Sequence, residues 1–186
     1  ETAEIKHPAV RQIMDFLDIK DGVEIHHDGD LPARAGLGSS SSFAVGLLNA
    51  LYALKGIMPS KRQLALDAVR VEQELLRENV GSQDQISAAF GGLNRISLGG
   101  VEEFSVSPVI LPGERLQAFQ DHLMLFFTGL SRNASDIAGA QIDATNQNHR
   151  QLTEMGQMVD QATSILCSNE DLDGFGRMLH ETWQLK

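Results

Sequence analysis

Three short stretches hold the residue types from which a phosphate-handling site can be built. The first is "PARAGLGSSSSF", residues 32–43, where two glycines and four serines run into an apolar pattern of helical spacing. A helix start leaves several backbone N–H groups without partners and carries the positive end of the helix dipole. Gly36 and Gly38 allow the main chain to approach a ligand where a side chain would block it. Such a place suits an anion, most often phosphate. The serine hydroxyls add groups that can bond phosphate oxygens or help hold a metal ion. The second stretch, "VEQELL", contains Glu72, which counting by three and four sets beside Ala65, Ala68, Val69, Leu75 and Leu76 on the apolar side of a helix. An inward carboxylate needs an arginine, hydrogen-bond donors or a metal. The third, "GSQDQ", brings Asp84 twelve residues later in a short polar turn. Amides for phosphates, a carboxylate for Mg²⁺ and a carboxylate near an acceptor hydroxyl together would suffice for phosphoryl transfer.

Each feature also has a plainer reading. The glycine-serine run can be a serine-capped helix after a glycine turn, Glu72 an amphipathic edge residue, and Asp84 a turn former. Other glycine motifs are excluded by position. A P-loop needs lysine where Ser39 stands, a dinucleotide fingerprint needs glycine where Ser41 stands, and Gly-x-Ser-x-Gly does not occur.

Taken together, "PARAGLGSSSS" resembles the central Pro-x-x-x-Gly-Leu-Gly-Ser-Ser motif of the GHMP kinases, a family that includes galactokinase, homoserine kinase, mevalonate kinase and phosphomevalonate kinase. "VEQELL", "GSQDQISAAFGGLNRI" and "LMLFFTGLSRNASDI" extend the likeness over nearly the whole chain from about His7. They look most like the bacterial sugar kinases acting on D-glycero-D-manno-heptose 7-phosphate. The resemblance implies an α+β, two-lobe GHMP kinase-like fold. Its N-terminal lobe would be ribosomal protein S5 domain 2-like and its C-terminal lobe ferredoxin-like, both incomplete here. Residues 1–110 would be part of the N-terminal ATP-binding domain and 111–186 part of the C-terminal domain. It implies ATP-dependent phosphorylation of a sugar hydroxyl, the anomeric one, with ATP and Mg²⁺ as cofactors. Gly36, Leu37, Gly38, Ser39, Ser40 and Ser41 would wrap the ATP phosphates, Ser40 and Glu72 would hold Mg²⁺, and Asp84 would accept or orient the proton of the sugar hydroxyl. The family's N-terminal strand segment and C-terminal glycine-rich motif are not in these 186 residues, so an internal segment of a longer kinase is expected. Alternatives are a kinase for a free sugar such as galactose or fucose, and a non-catalytic sugar- or nucleotide-binding protein of the same fold.

The elements that must position these residues follow from periodicity and turn chemistry. Residues 8–19 place Val10, Ile13, Met14 and Leu17 at helical spacing. "GVEIHHDGD" alternates like a short strand. Phe43, Leu47, Leu48, Leu51 and Leu54 form one face of the helix that follows the serines. Ser60 is a predicted N-cap with Gln63 completing a capping box, and that helix is expected to reach about Asn79, with Arg70 and Arg77 pairing Glu74 and Glu78 on its solvent face. A short helix over Ile86–Phe90 closes at Gly91 and Gly92. "LNRISL" and "EEFSVSPVIL" predict a hairpin, "HLMLFFTG" a buried strand, residues 134–166 a helical region with a break near Gly156, and "DLDGFGRMLHETWQL" a last helix with Phe175 and Trp183 in the core. Asn133 is a further N-cap, and Pro108 to Pro112 the best boundary between lobes.

In "TGLSRNAS", Arg132 offers a guanidinium fork for a substrate phosphate, with Thr128 and Ser131 beside it; a loop arginine bonding carbonyls is the plainer reading. Arg34 is expected to face solvent. The six histidines contain no His-x-x-x-His pair, which argues against zinc. The net charge of −10 argues against nucleic acid or an anionic membrane as partner, while local amides can still hold phosphate in an acidic protein. Cys167 is the only cysteine, and no run is long and apolar enough for a bilayer, so a cytoplasmic protein is expected, with a homo-oligomer left open.

Overall fold

His7 opens the first helix, α1 (Pro8–Phe16), by accepting the Val10 N–H at its Nδ1, and Pro8 sits where its missing N–H costs nothing. The computed structural model describes residues 4–29, 36–99, 103–126, 145 and 148–185. Of these, the residues up to Gly92 pack as one unit and those from Leu93 onward as another. The described secondary structure is helical apart from one two-stranded sheet.

In the first unit, α1 is followed by α2 (Ser39–Leu54), α3 (Lys61–Arg70), a π-helical turn (Val71–Leu75) and α4 (Gln83–Phe90). Ile13 of α1, Leu48 of α2, Ala65 and Ala68 of α3 and Val71 of the π turn are all at most 1% exposed. Burying a leucine such as Leu48 contributes about 2 kcal/mol. Ser60 caps α3 by accepting the Gln63 N–H at 3.1 Å, but Gln63 turns its amide to Asp67 instead of back to the cap, so the reciprocal half of the capping box is not made. Lys55 reaches the Leu17 carbonyl at 2.5 Å and Lys61 the Phe90 carbonyl at 2.6 Å.

Several expectations are corrected here. The helix expected to continue to Asn79 leaves α geometry after Arg70, and Leu76 N–H bonds the Val71 carbonyl five residues back. Apolar periodicity continues through this change and so does not reveal it. Arg70 does pair with Glu74, at 3.3 Å, whereas Arg77 adopts a left-handed φ of 56° and Glu78 is half-buried. Residues 22–29 form no strand, because alternation alone supplies no ladder partner; His26 bonds Glu24 and His27 lies edge-on to Phe43. Leu54 lies 59% exposed, at the last turn of α2 and beyond the reach of the packed face.

In the second unit, β1 (Asn94–Leu98) pairs antiparallel with β2 (Phe104–Pro108), with Ile96 opposite Val106, as the hairpin signal predicts. Then come α5 (Gly113–Asp121), α6 (His149–Cys167) and α7 (Asp173–Leu185). Phe119, Leu166 and Leu172 form its core, with Phe175 edge-to-face on Phe119 at 5.0 Å. Arg115 donates to the carbonyls of Ile165, Leu166 and Glu170, which closes the C-terminal end of α6. Gly156 does not break α6. Trp183 is 72% exposed and not a core residue, since nothing in α5 or α6 covers that end of α7 among the described residues. Of the buried strand predicted at 122–129, the described residues 122–126 form no strand, and Leu123, Met124, Leu125 and Phe126 are exposed there. No described helix is long and apolar enough to cross a membrane.

Candidate active site

The backbone turns sharply before α2. Gly36 and Gly38 hold φ values of +76° and +66°, the left-handed region that a side chain disfavours. Gly38 is the N-cap of α2 and provides no side-chain cap, so the first-turn amides of Ser39, Ser40 and Ser41 are left to other partners. The first bond of the helix runs from Ser42 N–H to the Gly38 carbonyl at 2.9 Å. Leu37 is 45% exposed on the loop, Ser39 is half-buried, Ser40 is exposed and Ser41 is 4% exposed.

Glu72 comes to this helix start from the π turn. Its side chain is 1% exposed, as the inward placement from helical counting predicts. Ser40 donates to Oε1 at 2.8 Å and Ser41 to Oε2 at 2.7 Å; Gln85 Nε2 also donates to Oε2. Among the described residues no cationic side chain pairs with Glu72. A buried carboxylate is tolerated only when hydrogen-bonded or matched by a cation. Here neutral hydroxyls and an amide satisfy part of its acceptor capacity and leave its charge unmatched. Glu78 lies near it: burial, then the charge of Glu72, pushes the Glu78 carboxyl above its ordinary value. The Glu78 N–H also bonds the Glu72 carbonyl at 2.9 Å.

Asp84 is brought to the same place from the far side. It lies in the first turn of α4, not in a loop as the polar turn suggests, because the helix begins three residues earlier than Ile86. A carboxylate is favoured at a helix N-terminus. A Cβ built on Gly38 would lie 3.2 Å from Asp84 Cγ and 3.2 Å from its Oδ2. The glycine loop, the buried glutamate and the exposed aspartate are therefore one constellation. Arg34, Thr128, Ser131, Arg132 and Asn133 lie outside the described residues.

Two further contacts fix the helices that carry the constellation, and sequence reasoning missed both. Tyr52 of α2 donates to Asp67 Oδ2 at 2.8 Å, and Gln63 bonds the other oxygen, Oδ1, at 2.9 Å. Burial, with the Asp67 hydrogen bond and charge, pushes the Tyr52 hydroxyl up to about 12. Gln85, fully buried, is the other. A helix started at Gln83 would have placed Gln85 and Ile86 together on an inward face.

The oxygen set fits a hard divalent cation. Glu72 carboxylate and Ser40 hydroxyl are both oxygen donors, and Ser40, while donating to Glu72, keeps lone pairs for a metal. Among the described residues no three His, Cys, Asp or Glu side chains converge on a metal-sized site. Mg²⁺ is commonly held by one or two carboxylates together with substrate phosphates, so this set is sufficient on the protein side.

Residues 5–92 match the family model described as GHMP kinases N terminal domain. The chain is 29% identical over 127 residues to the D-glycero-alpha-D-manno-heptose 7-phosphate kinase of Campylobacter jejuni, an alignment covering 68% of this chain and 38% of that protein. It is 26% identical over 176 residues to the L-fucokinase/L-fucose-1-P guanylyltransferase of Bacteroides fragilis, covering 90% of this chain and 18% of the relative. With the galactokinase of Pyrococcus furiosus the identity is 30% over 113 residues, 61% of this chain and 30% of the relative. The matched region thus spans well under half the length of each of these relatives. The match over residues 5–92 contains the glycine-serine loop, Glu72 and Asp84, and over those residues the chain is similar to the GHMP kinase N-terminal domain.

Proposed function

We propose that the chain is part of an ATP-dependent sugar kinase that phosphorylates the anomeric hydroxyl of a sugar phosphate such as D-glycero-D-manno-heptose 7-phosphate. The observation that carries the reading is the meeting of Ser40, Ser41 and Glu72 at the start of α2, with Asp84 beside Gly38. In this reading the amides of Gly36–Ser41, with the Ser39 hydroxyl, hold the ATP phosphates. Ser40 and Glu72 hold Mg²⁺, whose role when bound is to neutralise charge on the phosphates. Asp84 orients the sugar hydroxyl and receives its proton as the oxygen bonds the γ-phosphorus and ADP leaves. Catalysis is then mainly positioning and charge neutralisation. Arg132, with Thr128 and Ser131, is assigned to the substrate's own phosphate. Residues 1–110 belong to the N-terminal ATP-binding domain of ribosomal protein S5 domain 2-like fold, and 111–186 to a ferredoxin-like C-terminal domain.

A free sugar is the second reading, supported by the likeness to a fucokinase and a galactokinase. The presence of both Glu72 and Asp84 argues against a purely binding protein, which has little use for the pair. The test is ADP release by the full-length protein with Mg²⁺ and a panel of sugars and sugar phosphates. Turnover with heptose 7-phosphate and not with galactose or fucose is expected. Turnover with a free sugar alone moves the assignment to the second reading, and no ADP release with any sugar overturns the kinase.

A further inference from the structure

Gln85 is the least expected residue in the site. It is fully buried, and its Nε2 donates to Glu72 Oε2. Among the described residues its own carbonyl oxygen, Oε1, has no hydrogen-bond partner. Reversing the amide would set that oxygen against the Glu72 carboxylate, so the observed orientation is the one chemistry allows. A buried acceptor without a partner destabilises the fold, and such exceptions call for an explanation in what the group does.

The explanation lies in how the Glu72 acceptors are shared. A carboxylate has about four lone-pair sites, two on each oxygen. Ser41 and Gln85 both donate to Oε2, and both are buried. Among the described residues Ser40 alone donates to Oε1, and Ser40 is exposed. Oε2 is therefore fully engaged by the interior, and the unclaimed lone pair belongs to Oε1, the oxygen that meets the exposed hydroxyl. We propose that Gln85 is a positioning residue that, with Ser41, saturates Glu72 Oε2 and so presents Oε1 alone, beside Ser40, to a divalent cation. Without the Gln85 amide the carboxylate gains a second free lone pair and loses the donor that fixes its rotation. This proposal rests on the kinase reading of the site for the identity of the cation, but its geometry does not.

The test compares Mn²⁺ binding in the presence of ATP, read by electron paramagnetic resonance, for the full-length protein and its Gln85→Met variant. Loss of an outer hydrogen bond to a metal ligand typically weakens metal binding about 10-fold or more. The variant is expected to bind Mn²⁺ about 10-fold more weakly and to need correspondingly more Mg²⁺ for half-maximal ADP release, while kcat at saturating Mg²⁺ changes by less than about 3-fold. In a Glu72→Gln background, Gln85→Met is expected to add nothing to the weakening, since the two act through one carboxylate. Unchanged Mn²⁺ affinity in a folded Gln85→Met protein overturns the role of Gln85 and leaves the kinase reading standing. Failure of the unmutated protein to bind Mn²⁺ with ATP overturns both. Should Gln85→Met not fold, Gln85→Asn, whose shorter side chain draws the amide away from Oε2, carries the same expected and overturning results.

Discussion

Gly38 and Asp84 stand so close that the smallest side chain at the glycine would meet the aspartate: an added Cβ lies 3.2 Å from Cγ. Forty-six residues apart in sequence, they bring the N-terminal turn of one helix against the N-terminal turn of another. Two positive helix ends facing one carboxylate is an arrangement suited to holding and moving anionic groups.

Gly38→Ala follows directly from that contact. Alanine at a φ of +66° costs roughly 1–2 kcal/mol, and its methyl group displaces Asp84. The thermal midpoint is expected to fall modestly and kcat/KM by about 100-fold, since small misplacements of reacting groups have effects of that order. Near-normal turnover would show that the close approach is not needed by the chemistry.

Asp84→Asn keeps the size and removes the base proposed for the sugar hydroxyl. Loss of a positioned general base typically lowers kcat by about 10²–10⁴-fold, with ATP affinity retained. Steady-state ADP release together with nucleotide titration separates the two effects. A variant turning over at the parental rate would remove Asp84 from the mechanism.

Glu72→Gln places an amide where three donors converge. One donor must then face another, and the negative charge proposed to draw a cation is gone. The Mg²⁺ concentration for half-maximal activity should rise about 10-fold or more, in the range seen when metal sites are perturbed. An unchanged Mg²⁺ titration would exclude Glu72 as a ligand.

Tyr52 gives the fold a pH dependence in the alkaline range. Its hydroxyl is raised from 10.0 to about 12 in the folded chain. The raised value favours the neutral hydroxyl in the native state, so its contribution is complete below pH 10. It is lost as pH rises through about 12, because the unfolded chain releases this proton first. Tyr52→Phe should cost about 1 kcal/mol at neutral pH through the lost bond to Asp67. The difference between parent and variant in urea midpoints should shrink between pH 10 and pH 12. A constant difference across that interval would show that the hydroxyl does not titrate with folding.

The convergence of the candidate residues was more legible in the sequence than the fold around them. Gly38, Ser40, Glu72 and Asp84 announce themselves because glycine at a helix start and an acid on an apolar face are locally unusual. Helices with a clear stripe, such as α1 and α2, and the hairpin at Gly99 are local structures and were legible for the same reason. The stretches at 22–29 and 122–126 were not, because a strand exists only with a pairing partner, and alternation in one segment cannot say whether one is at hand. Gln85 escaped because a glutamine between an aspartate and an isoleucine looks like turn polarity until the helix register is known. The change of winding at Val71 escaped because leucines and valines recur through it without interruption.

That change of winding has a consequence of its own. A π turn contains one residue more than the α turn it replaces, since its bonds close five residues back instead of four. Removing one residue between Val71 and Leu75 would let the helix continue in ordinary α geometry and would satisfy the backbone better. It would also rotate everything on one side of the deletion by about 100° relative to the other. Glu72 and Gln85 could not then both keep their places against Ser40 and Ser41. The irregular turn acts as a spacer of fixed thickness, and a more regular helix here would give a sounder scaffold with its glutamate aimed at the wrong wall.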